Sequence, residues 1–117
     1  MLACSMSDGQ RGQTRQTYEQ LFEQAVKFIA RNLGDRDLAL AVVARELVVS
    51  PRQLQRVFAE VAGECFSDYL LRVRMERARV LLDEGMSGRQ AAAHVGYGSS
   101  AALAKGFRRY WGVGPRD

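Results

Sequence analysis

This sequence predicts an all-α fold on three observations. Apolar residues recur at helical spacing along most of the chain, no segment alternates as a half-buried strand would, and glycine, serine and asparagine sit where the periodic runs begin and end. At 117 residues the chain suits one domain, or two very small lobes sharing a connector.

The elements follow in order. Residues 7–16 are polar, glycine-containing and aperiodic, and residues 1–16 read as a disordered tail. A helix starts near Thr17, carries an apolar stripe of Leu21, Phe22, Ala25, Val26, Phe28 and Ile29, and stops at Asn32-Leu33-Gly34 as a C-cap. Asp35-Arg36-Asp37 starts a second helix with Leu38, Leu40, Val43, Ala44 and Leu47 inside. Ser50 then caps a third, with Pro51 at the first helical position and Gln53 closing a capping box. Leu54, Val57, Phe58 and Val61 share one side of it, and Arg52, Gln55 and Arg56 the other.

The longest helix runs from Ser67, capped by Ser67 and Asp68, to about Glu84, where Gly85 stops it. Leu70, Val73, Ala78, Leu81 and Leu82 face inward; Arg72, Glu76 and Arg79 face out. Its length is roughly 27 Å at about 1.5 Å per residue. A further helix lies around Gln90 to Val95, and a last one runs from Ser99 or Ser100 to about Trp111.

Composition bounds the function. The 17 basic and 13 acidic residues give net +4, and the charges cancel over residues 1–50. The basic excess sits in the second half, which permits a polyanionic partner such as nucleic acid. No apolar run approaches a membrane span, and Met1 to Met6 lacks the charged start and apolar stretch of a signal peptide. Two cysteines in unlike settings, Cys4 in the tail and Cys65 between helical patterns, suggest a reducing cytoplasm, with Cys65 a small buried residue.

The chain repeats itself. Ser50, Leu54, Phe58 and Gly63 have counterparts at Ser99, Leu103, Phe107 and Gly112, each 49 residues later, and Arg56 meets Lys105. Ala44 and Leu47 correspond to Ala92 and Val95 at an offset of 48. Two helices crossing through a short turn need alanine where their backbones approach and favour glycine where the turn requires positive φ. The second copy supplies Ala92 and Gly96; the first supplies Ala44 but has Val48 in the glycine position. A β-branched residue there is strained unless the turn takes another shape.

These copies have the pattern of a helix-turn-helix, whose second helix enters the major groove of DNA. The fold is therefore two helix-turn-helix subdomains, 17–66 and 86–117, joined by a long linker helix, 67–85, with about seven helices in all. The stretches Leu38 to Phe58, Gly63 to Leu82 and Ala91 to Pro115 together resemble the DNA-binding domain of AraC/XylS-type transcription regulators, over roughly residues 20–115.

The resemblance implies a sequence-specific, DNA-binding transcription regulator. Its two recognition helices, about 50–61 and 99–111, would enter successive major grooves of double-stranded DNA. Arg52, Gln55 and Arg56 match base-reading positions; Arg suits guanine O6/N7, and Gln suits adenine N6/N7. Gln53, nearer the flank, contacts phosphate or caps. In the second motif Ser99, Ser100, Ala101, Ala104 and Lys105 occupy outward positions: Ser100, Ala101 and Lys105 as readers, Ser99 toward the backbone. Arg108 and Arg109 look like backbone-positioning residues. Alanine and serine discriminate weakly, so this lobe is expected to add affinity more than sequence choice. Gly88, where the family usually carries a bulky aliphatic residue, and Gly106 each cost about 1 kcal/mol if helical, which makes this lobe the looser one.

Other readings are weaker. His94 is the lone histidine and lacks the companions a metal site needs, so no metal or cofactor is expected. The spacing of Tyr110 and Trp111 from Leu103 and Phe107 favours core over base stacking. Asp68 and Glu76 read as members of local ion pairs. No nucleophile–base set supports an enzyme. The alternative from another class is a helical protein-interaction module that contacts polymerase or another regulator without reading DNA. Family resemblance also brings RNA polymerase as a partner, a cytoplasmic, nucleoid-associated location in a bacterium, DNA binding as a monomer, and dimerisation through a sensing domain that this stretch does not contain.

Overall fold

In the computed structural model of the chain, residues 3–112 are described, with side chains from residue 17 onward. Six α-helices follow one another: α1 (Ala3–Arg31), α2 (Leu40–Leu47), α3 (Pro51–Val57), α4 (Phe66–Asp83), α5 (Gly88–His94) and α6 (Ser100–Trp111). No strand occurs among the described residues. Between α3 and α4 the helix widens into a π-type turn over Phe58–Ala62. The count is thus six plus this turn, where about seven were expected.

Helix α1 is longer than its apolar stripe. Its backbone is helical from Ala3, through the segment read as a disordered tail. The physical reason is cooperativity: extending an existing helix fixes one residue per added hydrogen bond, and no proline interrupts this stretch. Leu21, Ala25 and Ile29 are buried against the first lobe, with Phe22, Val26 and Phe28 packed beside them. At the far end the Asn32 side-chain amide donates to the Phe28 carbonyl at 2.9 Å.

Helix α2 begins later than expected. Asp35 does not start it, because its carboxylate accepts from the Asp37 N–H at 2.9 Å and closes a turn. Ala39 precedes the first helical residue without a side-chain cap. Helix α4, by contrast, starts one residue before the predicted cap: Cys65 is the N-cap, and neither it nor Ser67 supplies a side-chain bond to the helix end. Cys65 is exposed, contrary to the buried role expected of it, since an N-cap residue sits outside the first turn.

The two motifs have the same backbone. The Val48 N–H donates to the Arg45 carbonyl and the Val49 N–H to Ala44; in the second copy Gly96 donates to Ala93 and Tyr97 to Ala92. Both turns use a left-handed residue, Val48 at φ 59° and Gly96 at φ 85°. Valine therefore bears the strained conformation outright. It does so 88% exposed, so burial of its side chain contributes nothing in return.

The core runs unbroken through both lobes. Ala44 and Ala92, at the helix crossings, are sealed, as are Leu54, Val57 and Phe58 of the first lobe and Val95 and Leu103 of the second. Along α4 the inward face consists of Leu70, Met75, Ala78 and Leu81, with Val73 and Leu82 half-buried. Val61 departs from the predicted stripe and is exposed, because the π-type turn rotates it off the face that Leu54 and Phe58 share.

Candidate nucleic-acid interface

The first surface is built from the start of α3. Ser50 is extended at its N-cap, and its hydroxyl accepts from the Gln53 N–H at 3.1 Å, with Pro51 pre-set for the first turn. The reciprocal half of the predicted capping box is absent here; it is complete only at Ser87 and Gln90 of α5. Leu54 and Val57 turn inward, which leaves Arg52, Gln53, Gln55 and Arg56 all exposed. Arg52, Gln53 and Arg56 gather with Ser50 and Tyr18 around one open concavity.

Tyr18 was missed by the sequence reading. It lies at the ragged start of the α1 stripe, where half-burial against the core brings its ring beside the arginines of α3. Its position three and four residues before Leu21 and Phe22 is the signal that would have found it.

The second surface lies on α6. Ser99 caps it, accepting from the Ala102 N–H at 3.1 Å. Leu103 and Phe107 face the core. Ser100, Ala101, Lys105, Arg108 and Arg109 are exposed, while Ala104 is half-buried and Ala102 takes an outward position instead. Lys105, Arg108 and Arg109, expected in separate roles, line one open concavity together with Ala102 and Gly106. Gly106 has a packing reason: a Cβ there would lie 2.9 Å from the Tyr97 hydroxyl.

The cations on these two surfaces are free of ion pairs among the described residues. The described ion pairs belong to Arg72, which meets Glu64 at 2.7 Å and, more loosely, Glu76 at 3.8 Å. The hydrogen bond to Glu64 holds the Arg72 guanidinium above its ordinary pKa. Unneutralised guanidinium and ammonium groups on a helix face can exchange their counterions for phosphates, and their donors can meet acceptors on base edges.

The aromatic end of α6 packs instead of presenting a stacking platform. Trp111 meets Tyr110 edge-on at 4.8 Å, and the Arg79 guanidinium lies over its ring at 4.9 Å. Burial pushes the Tyr97 phenol above its usual range, against the pull of Arg74 and Arg109. His94 is exposed at the end of α5. Among the described residues no three His, Cys, Asp or Glu side chains converge as a metal site would require, and no helix is long and apolar enough to cross a membrane.

Two capped helices, each after a left-handed turn and each carrying an exposed basic face, coincide with a match to a known family. A family model described as a helix-turn-helix domain covers residues 43–117, more than half of the chain. The chain belongs to the AraC/XylS family.

Among AraC/XylS relatives, the transcriptional regulator ArgR of Pseudomonas aeruginosa is 32% identical over 95 residues, covering 80% of this chain and 29% of the regulator. GbdR of the same species is 33% identical over 102 residues, covering 86% of this chain and 28% of the regulator. This chain therefore spans under a third of the length of these relatives. Among solved structures, the C-terminal domain of the response regulator AraT from Geobacillus stearothermophilus superposes with a TM-score of 0.77 at 31% identity, covering 82% of this chain and 80% of that one. The DNA-binding domain of the global transcriptional factor AdpA, solved in complex with a target DNA, does so with a TM-score of 0.71 at 28% identity, covering 82% and 86%.

Proposed function

We propose that this chain is a sequence-specific DNA-binding domain that regulates transcription by placing α3 and α6 in successive major grooves. One observation carries the reading: the same capped helix after the same left-handed turn occurs twice, each time with exposed cations unpaired among the described residues. The AdpA domain, similar in fold and solved with its target DNA, supports it.

Within this reading Arg52, Gln55 and Arg56 choose bases, with Ser100, Ala101 and Lys105 as weaker readers. Gln53, Ser99, Arg108 and Arg109 hold the phosphate backbone. The chain acts in the bacterial cytoplasm on the nucleoid, binds DNA as a monomer and contacts RNA polymerase, with dimerisation left to a sensing domain. Nothing in its chemistry calls for a catalytic role.

Selection of sites from a randomised duplex pool, followed by binding titrations, tests this. Arg56→Ala should weaken the best site by about 1–3 kcal/mol and relax preference at one base position. Equal weakening on every sequence would remove its base-reading role. Arg108→Ala should lower affinity uniformly and flatten the salt dependence. Failure of the unmodified chain to bind any duplex at low salt would leave the helical interaction module as the better reading.

A further inference from the structure

The least expected side chain in the molecule is Arg74. It lies midway along α4 yet is only 9% exposed, the sole charged residue buried among the described ones. No carboxylate forms an ion pair with it among the described residues. Its Nη2 donates instead to two backbone carbonyls of the α1–α2 loop, Asp35 at 2.9 Å and Leu33 at 3.4 Å. On its other side the guanidinium lies 6.0 Å from the Tyr97 ring centroid, in the turn between α5 and α6. One planar cation thus touches the linker helix, the first lobe and the second lobe together.

The surroundings are shaped to admit it. A Cβ on Gly96 would lie 2.7 Å from Arg74 Nη2 and 2.7 Å from the Leu33 carbonyl oxygen. Beside this point the lobes meet directly. A Cβ on Gly34 would lie 3.2 Å and 3.3 Å from the His94 and Ala93 carbonyl oxygens, and one on Gly98 would lie 2.7 Å from Arg36 Nη1. Gly34, expected as a helix cap, therefore serves this approach instead. Burial lowers the Arg74 pKa from its ordinary value, opposed by Tyr97 and Asp35. A guanidinium keeps its charge through such a shift, and Nη2, bonded to two fixed carbonyls, resists being pulled away, while the buried Nε has no partner among the described residues.

We propose that Arg74 is a positioning residue that locks the two lobes at one separation and rotation, and so sets which spacing of two half-sites the chain accepts on DNA. The second clause rests on the proposed DNA-binding function; the first does not. The linker helix packs along α5 and α6, so the freedom it would leave by itself lies where it meets the first lobe. The Arg74 joint removes that freedom. On a duplex, one inserted base pair moves a half-site by about 3.4 Å and turns it by roughly 35°. A locked pair of recognition helices cannot follow that displacement, whereas a loosened pair can.

Two measurements on the full chain test this. The first needs no DNA: spin labels at Glu46→Cys and Arg89→Cys, with Cys4→Ser and Cys65→Ser, report the distance between lobes. A narrow distribution is expected in the otherwise unaltered chain and in the control Arg77→Met, and a broadened one in Arg74→Met. The second titrates a pool-selected site and the same site with one base pair inserted or removed between the half-sites. The unaltered chain should lose about tenfold or more on the altered spacings, and Arg74→Met about threefold or less. Should Arg74→Met fail to fold, Arg74→Lys serves, since an ammonium lacks the planar fork and should broaden the distances to a smaller degree. A distance distribution as narrow as the control's in a folded Arg74 variant overturns the lock, whether or not DNA is bound. Broadened distances with unchanged spacing preference overturn its role in site choice, and absence of duplex binding in every chain counts against the DNA-binding function alone.

Discussion

The two lobes share a backbone and differ in what holds it. In the first, Phe58 sits at the centre of an aromatic cluster, edge-on to Phe22 at 5.2 Å, Phe66 at 5.4 Å and Tyr69 at 5.2 Å. That packing is strong enough to carry a left-handed valine in the turn. The second lobe buries Leu103 and Phe107 among small residues, Ala91, Ala92 and Val95, and its other large aromatics, Tyr110 and Trp111, are only partly covered. Its turn uses glycine, both because φ is positive and because Arg74 and Leu33 leave no room for a side chain. A well-filled core tolerates local strain; a thin one relies on a close fit against its neighbour.

Substitutions can break this contrast in order of expected size. Phe58→Ala should cost about 3–5 kcal/mol in chemical denaturation. Amide exchange should accelerate first in α2 and α3; equal acceleration in α5 and α6 would show that the lobes do not differ in this way. Gly96→Ala should cost about 2–4 kcal/mol, combining positive-φ strain with the clash against a backbone carbonyl. A loss no larger than that of an ordinary surface substitution would refute the close fit. Val48→Gly should instead stabilise by about 1 kcal/mol, since relief of left-handed strain exceeds the added flexibility of the unfolded chain. Gly88→Ala should stabilise by roughly 0.5 kcal/mol, because the new methyl would meet only the Ser100 Cβ at 3.6 Å. The opposite signs at Val48 and Gly96, two equivalent turn positions, are the sharpest form of the comparison.

Most of the architecture was legible in the order of residues, because its determinants are local. Ser50, Ser87 and Ser99 cap the helices that follow them, and the stripes at Leu54 and Phe58 and at Leu103 and Phe107 face the core. The repeat located both recognition helices, and residues opposite such stripes, Arg52, Gln55, Arg56 and Lys105, had to face outward. What escaped were features that depend on partners distant in the chain. Nothing near Arg74 in the chain singles it out, since its carbonyl partners lie 41 and 39 residues away. Tyr18 gained its place beside α3 only through packing of α1. Val61 left its stripe because one turn of helix widened.

By itself, then, the sequence determined the helices, the caps at Ser50 and Ser99, the duplicated motif and the faces it exposes, since periodicity and capping act within a few residues. Tertiary structure alone decided that valine would hold a left-handed turn, that a buried arginine would join the lobes, and how one recognition helix is set relative to the other. Those outcomes arise where segments far apart in the chain compete for the same space and the same hydrogen-bond donors.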